Sequence, residues 1–72
     1  MPVLATVMSA AMVAHIYGLM RRHRFPEAAK LLAPYVGHVL EAEELRHFWQ
    51  TVEDIGDAAS AIKQVVQDFK LP

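Results

Sequence analysis

The chain has 72 residues, a formal net charge of −1 and no cysteine. A chain of this length forms one small domain with a marginal core, and without cysteine it has neither disulfides nor thiolate-bound zinc to stabilise it. The near-neutral charge argues against a nucleic-acid-binding protein, which normally carries a clear positive excess. Because 54% of the residues are hydrophobic, a short helical domain would leave apolar surface uncovered, and we expect obligate association of the chain with itself or with a partner.

The first predicted helix covers about residues 3–23. Residues 1–20 contain no formal charge. A segment of this length can span a membrane, and Arg21 and Arg22 directly after it agree with the positive-inside rule. The run is diluted by alanine, serine, threonine, glycine and the central His15. This composition favours a helix that is covered by protein on more than one side, and a single-pass anchor is kept as an alternative.

The second predicted helix follows a break at Phe25-Pro26. Proline restricts the preceding residue to extended backbone and then fits the first turn of a helix. Glu27 favours the same end of the helix through its interaction with the helix dipole. Pro34 lies inside the apolar pattern, and we expect it to kink the helix or to end it near Ala33.

Two amphipathic helices complete the chain. The third is expected over residues 41–54 and the fourth over residues 58–69, each with an apolar stripe at helical spacing opposite a polar face. Gly56 is expected to end the third helix, and Asp57 is the natural N-cap of the fourth. No strand pattern competes with these helices, so the sequence predicts an all-α fold.

The two halves of the chain match each other when one is shifted by about 33 residues, a period typical of helix–turn–helix repeats. Ala28 and Ala61 coincide under this shift, at the position where a tetratricopeptide repeat (TPR) has a small residue at its helix crossing. The sequence therefore predicts a single domain over residues 1–72, built of two stacked TPR-like hairpins: unit one over about residues 3–40 and unit two over about residues 41–70. A short superhelix with a groove and a closed four-helix bundle both satisfy this pattern. Two repeats are fewer than the usual minimum of three for independent stability, so a bound helix would supply the missing layer.

The repeat motifs also resemble a known family. The segments HRFPEAAKLLAPYV and EAEELRHFWQTVEDIGDAASAI, with the spacing between them, make residues 17–72 similar to the small TPR-like chaperones of type III secretion needle subunits. The resemblance implies a cytoplasmic protein that keeps a needle subunit monomeric by binding its amphipathic C-terminal helix in an apolar groove. It also implies a second small helical co-chaperone and a heterotrimer. A structural helical homo-oligomer and the membrane-anchored protein are the alternatives.

A partner-binding groove is expected on the first helix of each unit, because these helices line the concave face in TPR-type stacking. Methionine in such a groove adapts its shape to a helical ligand. The candidate residues form an apolar end and a polar end, which are Ala10, Val13, Tyr17 and Met20, and Arg46, Gln50 and Glu53. The competing interpretation is that the apolar set packs against a second copy of the chain.

The sequence gives little support for an enzyme or a metalloprotein. Glu44 and His47 have the spacing of one half of a di-iron site, but a complete site needs several more inward-facing carboxylates. Neither Ser9 nor Ser60 has a base and an acid beside it, and there is no glycine-rich phosphate loop. We therefore expect no catalytic residue, no metal and no cofactor.

Overall fold

A computed structural model of the chain describes residues 8–71. They form four α-helices, which are α1 (Ala10–Arg21), α2 (Phe25–Val36), α3 (Ala42–Val52) and α4 (Ala58–Phe69). Within this range there is no β-strand, which confirms the predicted all-α fold. Because the connections are short, neighbouring helices run antiparallel in an up-down-up-down order.

Three of the helices begin at residues whose chemistry favours a helix start. The hydroxyl of Ser9 caps α1 by accepting a hydrogen bond from the backbone N–H of Met12 at 3.1 Å. The carboxylate of Asp57 caps α4 in the same way through the N–H of Ser60 at 3.0 Å, as predicted. Pro26 lies in the first turn of α2, where its missing N–H would have had no helical acceptor.

The first helix is shorter than predicted. The apolar run indicated a helix over about residues 3–23, whereas α1 has 12 residues between Ala10 and Arg21. Ser9 has extended backbone and is the N-cap, so the helix does not continue through it toward the N-terminus. The predicted part of the helix at residues 3–7 lies outside the described residues.

Helix α2 continues past Pro34, where the sequence predicts either a kink or the end of the helix. It runs through Pro34 to Val36 instead of ending near Ala33. Gly37 then adopts left-handed backbone with φ of 86°, and its N–H donates to the carbonyl of Ala33 at 2.9 Å. This closure suits glycine, which has no Cβ to clash in the left-handed region. The kink at Pro34 stays a prediction.

The turn between α1 and α2 contains a left-handed residue that is not glycine, since His23 has φ of 58°. The N–H of Arg24 donates to the carbonyl of Leu19 at 2.9 Å, and the N–H of His23 donates to that of Met20 at 3.0 Å. These paired bonds are those of a Schellman motif. The His23 ring stacks on Phe25 with the ring centroids 5.4 Å apart. The motif thus closes α1 with a side chain that disfavours this backbone conformation.

The two hairpins stack on each other and close into a bundle. Helix α1 packs against α2 and α4, and α3 packs against the same two helices. The contact between α1 and α4 is the most extensive of all the helix pairs, and that between α1 and α3 is the slightest. Because the first helix packs on the last, the closed bundle is the observed arrangement rather than the open superhelix.

All four helices contribute to the core. Ala28 and Ala61 are fully buried, as expected for small residues where helices approach closely. The other buried residues are also apolar, and they are Ile16, Leu19, Met20, Phe25, Ala29, Leu32, Val36, Leu40, Leu45, Trp49, Val52, Ile62 and Val65. The interior is therefore stabilised by apolar burial, worth about 25 cal/mol for each Å² removed from water.

Candidate functional site

The α1 residues of the predicted groove have different environments. Ala10 is exposed, while Val13 and Tyr17 are half-buried and pack on the edge of the core. Met20 is 0% exposed, which corrects its assignment to the groove surface. Because α1 packs against both α2 and α4, the side of the helix that carries Met20 faces the interior and offers no surface to a partner.

The polar residues of the predicted groove are Arg46 and Gln50 of α3 and Glu53, which caps the C-terminal end of α3, and all three are exposed. Arg46 forms an ion pair with Glu43 one turn earlier in the same helix. The hydrogen bond from Arg46 lowers the pKa of Glu43 below its ordinary value. These side chains belong to the solvated face of an amphipathic helix, where such pairs contribute little to stability.

The two sets of predicted groove residues lie on separate helices with little contact between them. Helices α1 and α3 have the slightest packing of all the helix pairs. Tyr17 reaches across to Trp49, so that the two rings meet edge-on. Tyr17 of the apolar set thus contacts α3, and a binding role for either set stays a prediction.

The outer face of α1 carries no formal charge between Ala10 and Met20. We name as the α1 surface its exposed residues Ala10, Ala11, Ala14 and His15. Half-buried Met12, Val13 and Tyr17 adjoin it and pack against the core. Small side chains allow a second helix to approach closely, because the distance between packed helices depends on the residues at the contact.

Across residues 8–71, no helix combines the length and the apolar character that crossing a membrane demands.

The residues predicted from the sequence to line the groove include part of the α1 surface but not all of it. Ala10 was predicted, but Ala11 and Ala14 were not, because alanine occurs equally well in a core and on a helix surface. The signal that could have identified them is the absence of charge around a whole helix. The charged residues of α3, by contrast, mark its solvent side directly.

A second apolar feature is a cleft of about 390 Å³ beside α2 and the start of α3. The residues that line it are Pro26, Ala29, Lys30, Ala33, Val39, Leu40 and Ala42. Val39, in the loop after α2, is 81% exposed. The lining contains one cation and no carboxylate, histidine or hydroxyl group, so it suits an apolar side chain rather than acid–base or nucleophilic chemistry.

The residues considered for a metal site lie on the surface. Glu44 and His47 are both exposed, and the Nε2 atom of His47 is 3.3 Å from a carboxylate oxygen of Glu43. Among the residues that the structure describes, no group of three or more histidine, cysteine, aspartate or glutamate side chains is placed to hold a metal ion.

The fold and the α1 surface define a small, closed four-helix bundle with one uncharged outer helix face. In comparisons with known proteins, no family model, no curated protein and no solved structure matches the chain. A proposal for its function therefore starts from its own surfaces and from the pattern of its sequence.

Proposed function

We propose that the protein is a binding module that takes up an amphipathic helix of a partner on its α1 surface. The observation that carries this proposal is the lack of formal charge on α1 from Ala10 to Met20, beside half-buried Val13 and Tyr17. A helix that faces water normally has charged residues on its outer side, as α3 has. The apolar face of a partner helix would remove this surface from water.

The end of α1 offers a means of orienting the partner. Arg21 ends the helix and Arg22 follows it, and both are exposed. The guanidinium of Arg21 lies 5.8 Å from the centre of the Tyr17 ring, directly next to the uncharged face. An acidic residue at one end of the partner helix would pair with this arginine and fix the direction of binding.

The partner that we propose is a needle subunit of a type III secretion system. This step depends on the resemblance of residues 17–72 to the needle-subunit chaperones. In this proposal the protein acts in the cytoplasm with a second small helical co-chaperone and forms a hetero-oligomer. Binding of the subunit's helix competes with premature polymerisation, because a helix held on α1 is not accessible to another subunit.

A structural homo-oligomer is the second candidate, and the same surface favours it. A two-fold axis through the α1 surface would bring Ala14 of one copy close to Ala14 of the other. No like charges would oppose each other in that contact, because the outer face of α1 is uncharged along this length.

Co-expression distinguishes these candidates. The chain is produced alone and together with each small helical protein whose gene lies next to the gene of this chain. The mass of each soluble species is then measured by light scattering. The chaperone proposal expects aggregation of the chain alone and a defined hetero-oligomer with a neighbouring protein. A monodisperse dimer or tetramer that takes up no neighbour would favour the homo-oligomer. Retention in membranes after carbonate extraction would contradict both candidates.

A further inference from the structure

The imidazole ring of His38 lies between two backbone carbonyls. Its Nδ1 atom is 2.9 Å from the carbonyl oxygen of Val39, and its Nε2 atom is 2.7 Å from that of Phe69. His38 belongs to the loop between α2 and α3, whereas Phe69 is the last residue of α4. The second contact therefore joins parts of the chain that are 31 residues apart in sequence.

The number of hydrogen bonds that this ring can donate depends on its protonation. A carbonyl oxygen only accepts, so each ring nitrogen must carry a proton to bond to it. Neutral imidazole has one N–H, and its other nitrogen would direct a lone pair at a carbonyl oxygen. The imidazolium ion has two N–H groups and can donate to both carbonyls at once.

We propose that His38 is a pH-sensitive latch that, when both ring nitrogens are protonated, donates a hydrogen bond to each carbonyl and ties the α2–α3 loop to the C-terminal end of α4. The latch closes in mild acid and loses one of its two bonds when the ring becomes neutral.

Charges on the surrounding elements are compatible with a protonated ring. The ring lies at the C-terminal ends of α2 and α4, where the helix dipoles favour a cation. Glu41 and Glu44 follow in the loop and in α3, while Asp68 and Lys70 bracket the end of α4 with opposite charges. The first charged residue of α1 is Arg21, at the opposite end of the bundle.

The pKa of His38 follows the same geometry. The hydrogen bond to Phe69 and then the hydrogen bond to Val39 raise this pKa above the ordinary value of 6.5; partial desolvation opposes them, and the charge of Glu44 adds to them. A group whose pKa is raised on folding stabilises the fold fully below its unfolded pKa and loses this contribution as the pH rises through its folded pKa. Each unit of difference between the two pKa values changes the folding constant tenfold across that range.

The latch controls the packing of the last turn of α4. The ring of Phe69 meets the ring of Phe48 edge-on, with the centroids 5.3 Å apart. A weakened latch would therefore loosen the end of α4 and uncover this half-buried aromatic pair first, since helix ends open at lower free energy than the rest of a fold.

An NMR titration of the unmodified protein tests the latch directly. The pH dependence of the His38 ring signals gives its pKa in the folded protein and, with urea added, in the unfolded chain. The expected result is a higher pKa in the folded state. A folded-state pKa equal to or below the unfolded value would overturn the proposal.

Thermal unfolding of variants from about pH 5.5 to 8.5 provides an independent test. In His38→Gln the side-chain amide can still donate one hydrogen bond to the carbonyl of Phe69. Acid does not protonate this amide, so it adds no second donor for the carbonyl of Val39. The stability advantage of the wild type over His38→Gln should therefore be largest at the acidic end and shrink as the pH rises. The control Gln67→Asn, which changes an exposed residue of α4 that does not ionise, should keep the pH dependence of the wild type. Identical pH dependence in His38→Gln and the wild type would also overturn the proposal.

Discussion

The ring of Tyr17 meets the ring of Trp49 edge-on, with the centroids 5.9 Å apart and the planes inclined by 65°. This contact joins α1 to α3, which otherwise have the slightest packing of all the helix pairs. Trp49 is only 5% exposed, while Tyr17 is half-buried. Tyr17 therefore helps to shield the indole ring of Trp49 from water and connects the α1 surface to the core.

Removal of the Tyr17 ring should weaken the fold. We expect Tyr17→Ala to lower the free energy of unfolding by about 2–3 kcal/mol, because the ring contact is lost and apolar surface becomes exposed. Tyr17→Phe keeps the ring and should stay within about 0.5 kcal/mol of the wild type. Urea unfolding followed by the fluorescence of Trp49 measures both. Wild-type stability and unchanged native emission in Tyr17→Ala would contradict this role.

The left-handed backbone at His23 leads to a stabilising substitution. We expect His23→Gly to raise the free energy of unfolding by about 0.5–1 kcal/mol, because glycine adopts φ of 58° without a Cβ penalty. The loss of the stack on Phe25 offsets part of this gain. The opposite change, Gly37→Ala at φ of 86°, should destabilise by about 1–2 kcal/mol. In thermal unfolding, the melting temperature should therefore rise in His23→Gly and fall in Gly37→Ala, relative to the wild type.

The two N-caps should differ in their response to pH. Ser9→Ala should cost about 1 kcal/mol of stability at any pH, because a hydroxyl cap does not ionise in this range. Asp57 accepts hydrogen bonds from the hydroxyl and the backbone N–H of Ser60, and both lower its pKa below 3.8. Its contribution is therefore present above pH 3.8 and is lost as the pH falls through the lowered value.

Asp57→Ala should accordingly lower the melting temperature at pH 7, and the difference from the wild type should narrow in strong acid. Thermal unfolding monitored by circular dichroism measures this difference at each pH. A constant difference across the acid range would show that the ionised carboxylate does not supply the cap.

The buried alanines provide a test of the helix crossings. Ala28 is fully buried, so Ala28→Leu would place extra methylene groups where the helices already touch. We expect a loss of about 1–3 kcal/mol, since overpacking forces side chains and backbone to shift. Ala59 is exposed on α4, and Ala59→Leu should stay within about 0.5 kcal/mol of the wild type. Equal stability of the two variants would show that the crossing has room for a larger residue.

The sequence predicted those parts of the fold that depend on local patterns. Helices α3 and α4 were found within about two residues, because each alternates an apolar and a polar side at helical spacing. Ala28 and Ala61 were recognised through the repeat. The start of α1 was missed, because the apolar run extends across Ser9 and hides the cap within it.

Features that depend on contacts between distant residues could not be read from local patterns. The packing of α1 on α4 joins the two ends of the described chain, and it turns Met20 inward rather than toward a groove. The bond from His38 to Phe69 leaves no periodic signal either. The absence of charge indicates that α1 is covered on more than one side, but the packing of the helix decides which of its alanines face outward.

The α1 surface gives the sharpest test of the proposed function. A charge at Tyr17 would also disturb Trp49, so a loss of binding could reflect a damaged fold. Ala14 is exposed, and Ala14→Glu should change stability by no more than about 0.5 kcal/mol. The carboxylate would be buried without a partner in any complex formed on α1, and we expect affinity to fall about 10–100-fold.

Co-purification with a co-expressed neighbouring protein measures this loss, and circular dichroism verifies that the variant is folded. The matched control is Ala59→Glu, which adds the same charge at an exposed position of α4 and should leave binding unchanged. Full binding by Ala14→Glu would exclude the α1 surface as the contact. Loss of binding in both variants would instead indicate a general effect of negative charge. If Ala14→Glu converts an oligomer of the chain alone into monomers, the α1 surface is a contact between copies, because one substitution then places two like charges opposite each other.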